Sequence, residues 1–167
     1  MSNPYLYSFI MISEETIDRC IETIAEGSTD WLEVMSKQQP VLAGFLTAED
    51  HEAFTEEETQ YLYYLAVLCW MCFDTTYEEM DELNEEDLSI REEQNWNRID
   101  SMRPSSLQKI VDKLMPDYVE QELLFYLEDA LQIDAEDPEH PVTKSGQIPL
   151  FITLITLVDV LTEAAKD

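Results

Sequence analysis

Three glycines in 167 residues (Gly27, Gly44 and Gly146) leave this chain few places for tight turns and close backbone approaches. β-rich folds and nucleotide-binding α/β folds depend on both. Average usage would make about 7% of residues glycine. Helices need almost none, so the scarcity by itself favours an all-α fold.

The apolar periodicity agrees. Ser13 is placed to cap a first helix, with Glu14, Glu15 and Asp18 near its positive end and Gly27 at its stop. Between them Ile17, Cys20, Ile21, Ile24 and Ala25 form one stripe. Thr29 or Asp30 opens a short helix through Trp31, Leu32, Val34 and Met35, and Pro40 starts another turn through Phe45 and Leu46. Thr55-Glu-Glu-Glu58 spells a capping box. The helix behind it is apolar on every face from Tyr61 to Phe73, the pattern of a central helix wrapped by others. Pro104-Ser-Ser106 begins a helix bearing Leu107, Ile110, Val111, Leu114 and Met115, which Pro116 stops. Asp117 with Glu120 reads as a further capping box, opening a helix that runs to about Gln132. A loop holding Pro138, Pro141 and Gly146 leads to a last apolar helix over about 148–165. The predicted architecture is a single domain, residues 1–167, built as a bundle of five to seven helices. Its two apolar central helices lie at about 58–73 and 148–163.

The apolar runs 61–73 and 148–161 span 13 and 14 residues. That is roughly 20 Å of helix against the roughly 30 Å of a bilayer core, so both read as buried helices and no membrane is implied. The greasy stretch Pro4–Ile12 lacks a basic region and a small-residue cleavage site, so it is not read as a secretory signal. Cys20, Cys69 and Cys72 are odd in number and apolar in setting, which points to a soluble, cytoplasmic protein of a reducing compartment.

Acidity is the second constraint. Against 37 Asp and Glu stand only 9 Lys and Arg, a formal charge of −28. A disordered acidic tail would lack the 45% apolar content seen here, so the charge belongs to a folded surface. Its field repels nucleic acid, anionic lipid and phosphate-rich substrates and attracts cations and basic proteins. Between 74 and 93 ten acids meet a single base, Arg91. Tyr77, Met80 and Leu83 keep roughly helical spacing there, so the stretch reads as a helix with a thin apolar edge or as partly loop. Arg91, Arg98, Arg103, Lys109 and Lys113 follow, five of the nine bases.

Motifs that carry chemistry are scarce. Neither His51 nor His140 stands in a Glu-x-x-His pair, and His51-Glu52 is not continued as the zinc motif His-Glu-x-x-His. The carboxylates at 78–87 and 134–139 lack the EF-hand pattern and its sixth-position glycine. Cys69-Trp-Met-Cys72 lies late in an apolar helix, away from the N-terminal position that activates a redox thiol, so both cysteines read as buried apolar residues. No nucleophile elbow, phosphate loop or dinucleotide fingerprint is present. With 37 acids, accidental carboxylate pairs are too many to single one out for acid–base work. No catalytic residue, metal or cofactor is therefore assigned.

The acidic stretch can be read as a solvated face, which charge runs usually are, or as a binding face. The functional expectation is a non-enzymatic interaction protein whose acidic surface binds a basic protein, of the inhibitor, immunity or nucleic-acid-mimic kind. Its partner-binding residues are Asp74, Glu78, Glu79, Asp81, Glu82, Glu85, Glu86 and Asp87. Exposed aromatics or methionines nearby would serve as anchors. An alternative is a bundle, enzymatic or not, that holds a neutral or cationic small molecule in a pocket lined by Tyr61, Tyr64, Trp70, Trp96 and Tyr126. A homo-oligomer is a third option, through an apolar face away from 74–93; the Arg98–Lys113 segment could instead pair with the acidic stretch of its own chain or of a neighbour.

Overall fold

In the computed structural model, which describes residues 11–48 and 53–166, caps written into the sequence set most helix boundaries. Ser13 opens α1 (Glu14–Ala25) by accepting the Thr16 N–H, and Gly27 follows its end in the left-handed region at φ 71°. Asp30 caps α2 (Trp31–Gln38) through the Glu33 N–H, and Pro40 supplies the first turn of α3 (Pro40–Leu46). The capping box forms ahead of α4 (Glu56–Thr76): the Thr55 hydroxyl accepts the Glu58 N–H, and the Glu58 carboxylate accepts the Thr55 N–H. Beyond it come α5 (Glu85–Met102), α6 (Leu107–Leu114), α7 (Gln121–Ala130) and α8 (Gln147–Ala164). Two short strands, β1 (Glu79–Met80) and β2 (Ala165–Lys166), pair antiparallel.

The core is organised around α4 and α8. Every residue from Leu65 to Phe73 of α4 and from Leu150 to Val158 of α8 is buried. These two helices pack on each other; α1 and α2 cover α4, while α5 and α7 cover α8. α8 is 18 residues long with a mean hydropathy of 1.5, enough by length and composition to cross a bilayer. Its sides are instead occupied by neighbouring helices. Thr153 and Thr156 fit among the apolar residues by donating to the carbonyls of Pro149 and Ile152, at 3.1 and 2.8 Å.

Eight helices, rather than five to seven, are present among the described residues. The additional one is α5, whose buried positions are only Leu88, Asn95 and Ile99. Of the two readings of the acidic stretch, the structure has the second: it is partly loop and not one continuous helix. α4 runs on to Thr76, the chain from Tyr77 to Asn84 leaves the helix, and α5 starts at Glu85. Tyr77, Met80 and Leu83 do turn towards the core, but from extended backbone.

The predicted box of Asp117 and Glu120 does not form. Asp117 ends a 3-10 turn, Met115–Asp117, and the Glu120 side chain makes no cap to α7. Glu120 is instead fully buried, where its carboxylate accepts the Tyr77 hydroxyl at 2.6 Å and the Ile12 N–H at 2.9 Å. A buried hydroxyl and a buried amide both require an acceptor, and that need overrides the local cap.

Glu58 serves a long-range contact as well as its cap. Its second oxygen accepts from the N–H and the hydroxyl of Thr143, at 3.1 and 3.0 Å, tying the 131–146 connection to the start of α4. A Cβ on Gly146 would run into this carboxylate, so glycine is needed there for space and not for backbone conformation. We predict that Gly146→Ala lowers stability by about 2 kcal/mol, a typical cost of overpacking beside a buried polar contact. Urea unfolding would measure it, and an unchanged midpoint would contradict the packing described.

Candidate functional site: an acidic face and an adjoining groove

All eight predicted partner-binding acids are exposed. Asp74 lies in the last turns of α4, Glu78 to Glu82 on the non-helical connection and β1, and Glu85, Glu86 and Asp87 in the first turn of α5. The last three complement the positive end of the α5 dipole, so part of the cluster also has a local structural role. Among the described residues only Asp81 of the eight is ion-paired, with Lys166 at 2.9 Å.

The backbone beneath these acids is firmly held. β1 pairs with β2, and the Asp81 N–H donates to the Ala164 carbonyl at 3.0 Å. From the other side comes Gln39, only 3% exposed. Its amide donates to the Asp81 carbonyl at 3.0 Å and accepts the Leu83 N–H at 2.8 Å. Leu83 is buried, and Asn84 then caps α5 by accepting the Glu86 N–H at 2.7 Å. The carboxylates thus project from a chain fixed at successive residues.

A polar network seats α5 on α8. The buried Asn95 amide donates to the Thr156 hydroxyl and to Asp159, both at 3.1 Å, and the Tyr118 hydroxyl donates to Asp159 at 3.0 Å. Arg91 lies 3.8 Å from the Asp159 carboxylate and also pairs with Glu163. Burial pushes the Asp159 carboxyl up, opposed by the hydrogen bonds from Asn95 and Tyr118 and by the charges of Arg91 and Arg98. Glu120 is likewise raised by burial, against the hydrogen bonds from Tyr77 and Ile12.

On its outer side α5 exposes Ile90 and Trp96. Two cavities flank it and meet at Glu92. One, of about 390 Å³, lies between α3 and α5 and is lined by Val41, Phe45, Glu85, Leu88 and Ser89 as well as Glu92. The other, of about 420 Å³, is bounded by Phe54, Glu92, Trp96 and the start of α8. The α5 residues involved (Glu85, Leu88, Ser89, Glu92 and Trp96) fall on one helical stripe. That stripe is readable in the sequence, but nothing in the sequence shows that α3 stands opposite it.

The five predicted aromatics do not gather around either of these two cavities. Trp70 is buried in the core. Tyr61 and Tyr64 stack at 6.3 Å, Tyr61 donates to the Ala130 carbonyl at 2.8 Å and meets the edge of His140, and Tyr126 is half-buried against the core. Of the five, Trp96 alone lines either of the two cavities. Large rings at helical spacing pack on one another and on the core, and Tyr64 also borders a smaller cavity of about 200 Å³ beside Trp31 and Tyr63.

Cys20, Cys69 and Cys72 are buried free thiols, and burial pushes Cys69 up to about 12. Among the described residues no group of three His, Cys, Asp or Glu is arranged to hold a metal ion; His51 lies outside them. Arg103, Lys109 and Lys113 gather at a cleft between the end of α5 and α6, with no ion pair among the described residues. Arg91 does pair within the chain, but with α8 and not with the predicted acidic face. No protein-family model matches this chain, and neither a curated protein nor a solved structure matches it.

The buried carboxyls give a pH dependence of definite sign. A carboxyl whose folded-state pKa is raised holds its proton more tightly in the folded protein. Stability therefore falls as pH rises from the ordinary carboxyl value of about 4 through the raised one. Repulsion among the surface acids acts in the same direction. Thermal melts should give a higher Tm at pH 5 than at pH 7.5, with a shallower slope in Glu120→Gln, whose amide can accept from Ile12 and donate to the Tyr77 oxygen. A Tm that rises over this interval would refute the assignment.

Proposed function

We propose that this chain is a non-enzymatic interaction protein whose acidic surface binds a basic protein, acting as an inhibitor, immunity protein or nucleic-acid mimic does. The observation that carries this reading is that the acids from Glu78 to Asp87 are all exposed, while the backbone beneath Glu79, Asp81 and Leu83 is tied down by β2 and Gln39. Solubility requires charge but not a fixed backbone. A preorganised face loses less conformational freedom on binding, and its field steers a cationic partner to it. Ile90 and Trp96, exposed on the adjoining helix, supply apolar area of the kind that anchors interfaces. The small-molecule reading retains one support, the cavity beside Trp96 and Phe54.

Changing Glu78, Glu79, Glu82 and Glu86 to glutamine removes four charges and leaves the Asp81–Lys166 pair in place. The folded spectrum by circular dichroism should be unchanged. In pull-downs from lysate, the wild-type chain should retain a protein of net positive charge at low salt and release it at about 0.5 M, where screening is nearly complete within a few Å. The variant should fail to retain it. Equal retention by both forms, or no basic protein on either, would remove the basis for this function.

A further inference from the structure

We infer that the cleft between the end of α5 and α6 binds a small phosphate-bearing ligand, held by Arg103, Lys109 and Lys113. This site is separate from the acidic face: none of its lining residues belongs to 74–87. The cleft has a volume of about 350 Å³. In a chain where 37 acids face 9 bases, a base readily finds a carboxylate, and Arg19, Lys37, Arg91 and Lys166 each do. Arg103, Lys109 and Lys113 line one cleft together, and none of them makes an ion pair among the described residues. Asp112 borders the same cleft, yet neither of its neighbouring lysines on α6 closes an ion pair with it. Three cations against one carboxylate leave the cleft positive on a molecule that is otherwise strongly negative.

The backbone at Arg103 is an independent indication. α5 ends there in the left-handed region, at φ 47° and ψ 58°, and Arg103 is the only residue other than glycine with a positive φ among the described residues. A side chain in this region crowds its own backbone, so glycine is the residue such a turn favours. Pro104 adds to the cost, since a residue before proline is driven towards extended backbone. The negative end of the α5 dipole accounts for a base near this position but not for the left-handed turn. That turn sets Arg103 on the cleft with Lys109 and Lys113, which stand one helical turn apart on α6. Such strain is retained mainly where it serves a site.

The donor set fits a phosphate group. A guanidinium offers a fork of N–H donors to two oxygens, and ammonium groups act on the others as point charges. The exposed Ser105 stands at the same edge, and the half-buried Met102 and Pro104 give an organic remainder apolar surface to lie against. A nucleic acid or an anionic membrane would extend over the rest of the surface and meet its acids. A ligand confined to the cleft feels mainly the three cations, because charges beyond about 8 Å are largely screened at physiological salt.

The test is isothermal titration calorimetry on the full chain in a phosphate-free buffer at constant ionic strength, with inorganic phosphate and glycerol phosphate as probes. Inorganic phosphate should bind at a single site with a Kd of about 1 mM or tighter. Tighter binding of glycerol phosphate identifies an organic phosphate as the ligand class, and equal binding identifies phosphate itself. Arg103→Gln, and Lys109→Gln combined with Lys113→Gln, should each weaken binding about tenfold or more. Lys37→Gln, which removes a base already paired with Glu33, should leave it unchanged. Thermal melts add a readout specific to the strained turn. Arg103→Gly and Arg103→Gln remove the same charge, but the Arg103→Gly chain should melt at the higher temperature because its turn is relieved. The inference is overturned by the absence of saturable binding, or by binding undiminished in Arg103→Gln or in the lysine pair. It is equally overturned if Arg103→Gly melts no higher than Arg103→Gln. Circular dichroism of each variant establishes that the helical fold is retained before the titrations are compared.

Discussion

Mutual burial of α4 and α8 is the constraint on which the rest of the molecule depends. Each has a nine-residue run with no exposed side, so neither can face solvent. The other helices are consequently wrappers, and each needs only one apolar stripe. Charge has nowhere to go but the outer faces of those wrappers and the connections between them. A chain can carry −28 and still fold because its apolar residues are concentrated in two helices and not spread evenly.

This division of labour explains how much of the fold was legible. Ser13, Asp30, Thr55 and Pro40 act through their immediate neighbours, so the boundaries they set could be read from a few residues. α5 was hidden because Leu88, Asn95 and Ile99 are its only buried residues, and one of them is polar. Asn95 earns its place through Thr156 and Asp159, more than sixty residues away. Tyr77, Met80 and Leu83 mimicked helical spacing because an extended chain curving past the core can also direct every third side chain inward. Glu120 misled for the same reason: its partners, Tyr77 and Ile12, are remote in sequence.

The candidate site was legible in composition but not in form. Where the acids cluster is visible in the chain itself, and all eight lie at the surface. That Gln39 and β2 hold the intervening backbone was not visible, since those contacts cross 42 residues and more. The aromatic residues were more misleading. Spacing identified rings near one another without showing that Trp70 would be consumed by core packing, or that Tyr64 and Trp96 would border different cavities.

Gln39 has a consequence for the chemical ageing of the protein. Its side chain is used at both ends, the nitrogen towards the Asp81 carbonyl and the oxygen towards the Leu83 amide. Deamidation would replace that nitrogen with a second oxygen, turning an attraction for the Asp81 carbonyl into a repulsion and adding an anion directly beneath an already anionic surface. A single hydrolysed amide would thus loosen a connection that no cleavage or unfolding had touched. One of the contacts that order the most charged segment is thus a bond that slow hydrolysis can erase, and burial of that amide from water is what protects it.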